Sequence, residues 1–187
     1  MKKVIIGIIA VAIIALVIVG IVMISGKNKE NVGGNTESAK MQTGQEMQDT
    51  LNSIYTKLGD QLPASLETRE IDITDELAVK SATGLQSTEN VEAVVLSEPM
   101  MSAQAYSAVF VKTAKGADVE KMKQEMLDNI DTRKWICVTA EKVYVTNHEN
   151  IIFLIMSSEE WAKPVYDEFK STVDGKIGKE LSKTEEI

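Results

Sequence analysis

Side chains that carry chemistry are scarce in this chain. Its 187 residues include one cysteine, Cys137, and one histidine, His148. A lone cysteine excludes an internal disulfide, so the folded part must rely on its core without covalent staples. A lone histidine excludes a multi-histidine metal site and any two-histidine mechanism within one chain. No GxSxG, GxGxxG, Walker loop or HExxH occurs, which removes the familiar nucleophile, dinucleotide, nucleotide and zinc-protease signatures. Basic residues are outnumbered, 20 against 28 acidic ones. Lys2 and Lys3 stand ahead of a long apolar run and every acid follows it. The part after that run therefore has 18 basic and 28 acidic residues and a formal charge of −10. A nucleic-acid binder needs clustered Lys and Arg, so none is expected here. The acid excess reads as a solvated, self-repelling surface.

What is present begins with the run itself. Val4–Ile24 is 21 apolar or small residues without a charge. A bilayer core of about 30 Å takes roughly 20 helical residues, so the run is expected to be a transmembrane helix. It is longer than a signal-peptide core. Its exits at Ser25 or Gly26 have Met23 or Ile24 where a peptidase wants a small residue. An uncleaved signal-anchor is therefore expected, and no cysteine stands near it to take a lipid. Lys2 and Lys3 place the N-terminus in the cytoplasm and residues 26–187 outside, at the cell membrane. Residues 1–3 would leave no cytoplasmic output, so any signalling would run through another membrane protein. Gly7, Ala10, Ala12, Ala15 and Gly20 never fall four apart, so the close-packing dimer signature is missing from the span.

Residues 25–42 read as a flexible linker rich in Gly, Asn, Ser and Lys. As a random coil it spans roughly 20–25 Å, which keeps the domain close to the membrane. Folded structure is expected over 43–174. Thr43-x-x-Glu46 has the form of a capping box, and Met47, Leu51, Ile54, Tyr55 and Leu58 repeat at helical spacing up to Gly59. Thr74, Asp75 and Glu76 look like a second helix start that Gly84 ends. Val91–Leu96 and Tyr106–Thr113 read as strands, with Glu98-Pro99 interrupting between them. Asp118 caps a third helix carrying Val119, Met122, Met126, Leu127 and Ile130. Lys142–Thr146 and Ile151–Met156 flank Asn147-His148-Glu149-Asn150 and suggest a hairpin. The last helix carries Trp161, Val165 and Phe169, with its regular part expected from Pro164. Residues 175–187 read as a polar, frayed tail. The fold class expected is α+β: the transmembrane helix, then a single domain with a mostly antiparallel sheet of about four strands packed by helices.

The stretches MMSAQAYSAVFVKTAKGADVEKMKQEML and AEKVYVTNHENIIFLIMSSEE carry a pattern. It is a Met-rich turn, a strand ending Val111-Lys112, Gly116 and a helix, then a hairpin with Ala140, Val143, Asn150, Ile151, Ile152 and Phe153. Over roughly residues 46–173 this resembles a Gram-positive bacterial family of small membrane-attached proteins, often lipoproteins, with a conserved domain of unknown function. The resemblance implies a cell-envelope role, and because the family has no established activity it carries over no catalytic residue to this chain. Some members are encoded near membrane-bound O-acyltransferases of surface polymers. This chain departs from the lipoprotein members by offering a helix where they carry a lipid-bearing cysteine.

Candidate sites are few. Cys137 is expected as a small residue packed near the sheet, and His148 as an exposed turn residue. Asp72, Asp75 and Glu76 lack the spacing of a calcium loop and read as helix caps. No catalytic, cofactor-binding or metal site is expected, and no cofactor. Met100 and Met101, adjacent after Pro99, offer an adaptable apolar surface for a partner. Ile151–Met156 is apolar at every position. Either helices cover both its faces or one face meets a partner. The expected function is a non-catalytic binding or accessory module held outside the membrane. Its partners would be the lipid bilayer, through the N-terminal helix, and an envelope protein or surface polymer. The alternative is an envelope enzyme acting on a surface polymer.

Overall fold

In a computed structural model of the chain, the structure describes residues 40–63, 65–101 and 103–186. The expected cytoplasmic tail, anchor and nearly all of the linker lie outside the described residues. No helix among the described residues is long and apolar enough to cross a membrane.

The domain is α+β, with one antiparallel sheet and four helices. Helix α1 spans Gly44–Leu58. Its capping box forms as the spacing predicts: Thr43 Oγ1 accepts from the Glu46 amide at 3.1 Å, and the Glu46 carboxylate accepts from the Thr43 amide at 3.1 Å. One 3-10 turn, Gly59–Gln61, leads into β1, Leu66–Ile71. Asp75, not Thr74, caps α2, Glu76–Thr83. Gly84 ends α2 at φ 79°, and a Cβ there would stand 2.7 Å from the Ile130 nitrogen. Only glycine allows both this backbone conformation and this close approach.

Strands β2, Val91–Pro99, and β3, Tyr106–Thr113, follow. Asp118 accepts from the Lys121 amide and starts α3, Val119–Asn129. The hairpin of β4, Lys142–His148, and β5, Ile151–Ser157, turns at Glu149 and Asn150, with Glu149 at φ 50°. Helix α4 spans Glu159–Thr172 and β6 spans Leu181–Thr184.

The sheet runs β1-β2-β3-β5-β4-β6, with every pairing antiparallel. Six strands stand where about four are expected. The two additional ones are the edges, β1 and β6. Residues 175–187 are thus not frayed throughout, since Leu181–Thr184 pairs with Val145–Lys142 of β4. Met41, expected in the linker, is buried in the core beside α1. Helix α4 starts at Glu159, five residues ahead of Pro164, so the proline sits inside the helix. Pro99 closes β2 instead of interrupting it.

Helices cover both faces of the sheet. On one face α1 and α4 bring Met47, Leu51, Ile54, Ala162, Val165, Tyr166 and Phe169 against Val95, Tyr106, Phe110, Phe153 and Ile155. On the other, α2 and α3 bring Val79, Ala82, Met122, Met126 and Leu127 against Val94, Leu96, Val109, Val111, Ile152 and Leu154. Strand β5 lies inside the sheet, between β3 and β4, and all seven of its residues are buried. This explains why it is apolar at every position, as strands covered on both faces are. It leaves no apolar face of the hairpin for a partner.

Candidate partner-binding groove

The two helix layers differ in length. Helices α1 and α4 have 15 and 14 residues, whereas α2 and α3 have 8 and 11. An eight-residue helix covers about 12 Å, while the nine residues of β2 extend about 30 Å. The short helix leaves the Pro99 end of β2 uncovered on its face, and a groove of about 270 Å³ opens there. Its floor is Arg69, Ile71, Leu96 and Glu98. One wall is Ala78, Ser81 and Ala82 of α2, and the other is Lys134 and Trp135. A second cavity, about 290 Å³, shares Ser81 and Lys134 with it and is bounded by Leu77, Lys80, Asn129 and Asp131.

The second wall belongs to the loop between α3 and β4. The Ala140 amide donates to the Thr132 carbonyl at 2.8 Å and closes the loop at its base. Asp131 Oδ1 accepts from the Arg133 amide at 2.9 Å. Lys134 fastens the loop to the sheet. Its Nζ lies 2.5 Å from Glu98 Oε1, donates to Ser107 Oγ at 3.2 Å, and stands 5.3 Å from the Trp135 ring centroid. Glu98 and Ser107 lie on neighbouring strands of this face, so one lysine joins loop, β2 and β3. Trp135 packs partly against the aliphatic core.

The exposed large hydrophobic residues of the described structure are Leu77 (80%), Met100 (73%), Met101 (62%) and Ile136 (71%). Each lies within three residues of a groove-lining one: Leu77 beside Ala78, Ile136 beside Trp135, and the methionines just after Glu98. Met100 and Met101 are exposed and follow the groove-floor residue Glu98 in sequence. Their anchor is backbone, through the Met100 amide donating to the Ser65 carbonyl at 3.1 Å. Reading from sequence found the methionines, but not Leu77, Trp135 or Ile136. Helical periodicity does mark Leu77 as off the buried face of α2, which carries Val79, Ala82 and Thr83.

The remaining candidates are dispersed. Cys137 is exposed, contrary to its expected packing near the sheet, because it sits in the loop at φ 61° rather than in a strand. His148 is buried, contrary to its expected exposure. It ends β4, and its Nδ1 donates to the Lys176 carbonyl at 2.6 Å, so Nδ1 carries the proton. His148 lies at the Ile151 end of β4, whereas the groove lies toward the Lys142–Ser157 end of the sheet. The six steps of β4 between these ends span about 20 Å, so the structure does not bring Cys137 and His148 together. Asp72 Oδ1 accepts from both the amide and hydroxyl of Thr74, which hold its carboxyl below the usual carboxylate range. Asp75 Oδ1 accepts from the Ala78 amide. No group of three or more His, Cys, Asp or Glu that could hold a metal ion occurs among the described residues.

The strongest pKa displacements belong to tyrosines on the opposite face. Burial pushes Tyr55 up to about 12, and burial with the neighbouring Tyr55 pushes Tyr106 well above the ordinary phenol value. Tyr106 donates to Tyr55 at 3.1 Å, and Thr68 donates to Ser97 at 3.0 Å beside them. Burial likewise raises Tyr144 and Tyr166. Tyr144 donates to Glu159 at 2.7 Å, and a tyrosine that donates to a carboxylate resists ionisation further. The Tyr106–Tyr55 and Tyr144–Glu159 hydrogen bonds fasten helices to the sheet.

Comparison with protein-family models, with curated proteins and with solved structures yields no match to this chain.

Proposed function

We propose that this protein is a non-catalytic binding or accessory module of the cell envelope, held outside the membrane by its N-terminal apolar run, that engages an envelope partner through the groove. The observation that carries this reading is the position of Leu77, Met100, Met101 and Ile136. Four large apolar side chains stand in water, each within three residues in sequence of one that lines the groove. Soluble surfaces gather such groups where they meet a partner. Methionine adapts its shape to what it touches, and the Lys134 clamp holds one wall in place before binding. The apolar run and the resemblance to membrane-attached envelope proteins support the location.

The test is site-specific photo-crosslinking in intact cells. A crosslinker at Met101 or Ile136 captures the same envelope species, and one at Asn52, on α1 across the sheet, does not. Equal capture at all three positions, or none at Met101 and Ile136, rejects the reading.

The exposure of Cys137 on the same loop favours a second reading, an envelope enzyme whose thiol acts on a surface polymer. A Cys137→Ala variant that folds, keeps its crosslinks and loses cellular function would establish it. Retained function in that variant removes it.

A further inference from the structure

Strand β1 is an edge of the sheet among the described residues, with a definite hydrogen-bonding parity. The Met100 amide donates to the Ser65 carbonyl, so Ser65 and Met100 are a hydrogen-bonded pair. Bonded pairs alternate in an antiparallel ladder. Given Leu66 opposite Pro99, the bonded residues of β1 are then Glu67, Arg69 and Ile71. Pro99 falls at a position that gives no amide to β1, consistent with that parity. The backbone groups of Leu66, Thr68 and Glu70 therefore point away from β2. They have no partner among the described residues.

Charges on the edge select what can pair with it. Charged residues usually keep an edge strand single, and here Glu67 and Arg69 are both exposed and lack an ion-pair partner among the described residues. A second copy laid antiparallel on β1 must bond through the outward residues of both strands. Three nearby symmetric registers satisfy this. Centring on Glu67 sets Glu67 against itself, and centring on Arg69 sets Arg69 against itself. Centring on Thr68 sets Glu67 of each copy opposite Arg69 of the other, twice. These would be non-bonded pairs, whose side chains approach most closely.

We propose that two copies of this chain pair edge to edge through β1, antiparallel and centred on Thr68, joining their sheets across a two-fold axis with two reciprocal Glu67–Arg69 ion pairs. Arg69 also lines the groove. The pairing sets a carboxylate of the second copy beside each groove and brings the two grooves together around the axis. Strand pairing alone buries less than a standard protein interface, so the association is weak and suits trapping by crosslinking.

The test uses the full chain in detergent micelles, with Cys137→Ser to remove the natural thiol. Thr68→Cys faces its own copy at about 5.5 Å between Cα atoms, within disulfide reach. It is expected to form dimers on mild oxidation, whereas Glu67→Cys and Arg69→Cys are not, since each would lie more than about 7 Å from itself. On the Thr68→Cys background, Glu67→Arg or Arg69→Glu lowers the dimer yield about tenfold, through two like-charge pairs. The double reversal restores it and controls for folding. No dimer with Thr68→Cys, stronger self-linking at 67 or 69, or a yield indifferent to charge reversal overturns the proposal.

Discussion

The two faces of the sheet are built from different side chains. Against α1 and α4 the packing is aromatic. Phe110, Phe153 and Phe169 meet with ring centroids 4.5–5.5 Å apart, and Tyr144 stacks on Tyr166 at 4.7 Å. Against α2 and α3 it is aliphatic, built from Val, Leu, Ile, Met and Ala with Trp135 at the margin. The aromatic face is covered by two long helices, and hydroxyl networks tie it down. The aliphatic face is covered by shorter helices and carries the groove. The aromatic contacts and tyrosine hydrogen bonds thus lie on one side of the sheet and the groove on the other.

Substitutions on the two faces should separate accordingly. Phe153→Ala, at the centre of the aromatic cluster and fully buried, should cost about 3–5 kcal/mol of folding stability in denaturant titrations. A loss below about 1 kcal/mol would break the contrast between faces. Lys123→Ala should cost about 1–3 kcal/mol. Its ammonium is fully buried between α3 and the C-terminal segment, 2.6 Å from Glu120 and donating to the Lys179 carbonyl at 2.7 Å. Hydrogen exchange should then quicken first along β6.

A pH titration addresses the aromatic face alone. Tyr55 and Tyr106 stay neutral in the folded protein above the ordinary phenol value of 10.0. In the unfolded chain they ionise near that value, so between about pH 10 and 12 the folded state holds more protons. Their contribution to stability is complete below pH 10 and is lost as pH rises through that window. Phenolate absorbance from these two residues should appear together with unfolding, not before it.

The smallest effect on stability is expected at the rim. Leu77→Ser, Met101→Ser and Ile136→Ser should each change folding stability by no more than about 0.5 kcal/mol, yet weaken crosslinking to the proposed envelope partner. A rim variant that unfolds the domain would place these residues in the core after all.

Much of the frame was legible because its signals are local. The Thr43 box, the Asp118 cap and the Gly84 stop are each read from a few neighbouring residues, and each forms. Strand β3 occupies the predicted residues, since an apolar run bounded by turn residues marks a strand covered on both faces. Strand β1, LETREI, has only Leu66 and Ile71 as apolar residues, and β6, LSKT, has only Leu181. Edge strands are held by backbone hydrogen bonds that any side chain permits, so composition does not announce them. The burial of His148 is not legible in its own neighbourhood for a related reason. Its burial comes from Lys176, 28 residues later, whose carbonyl its ring nitrogen meets.

By itself the sequence determined the helix caps, the central strands, the missing disulfide and the absence of a multi-histidine metal site, because each follows from residue type or short-range spacing. The tertiary structure alone decided the strand order, the two edges and the division into an aromatic and an aliphatic face. It also decided the groove, which brings together residues of β1, β2, α2 and the loop between α3 and β4. Met100 and Met101 show the boundary between the two. Their apolar pairing could be read from the chain, but their exposure, like that of Leu77 and Ile136, depends on packing across distant segments.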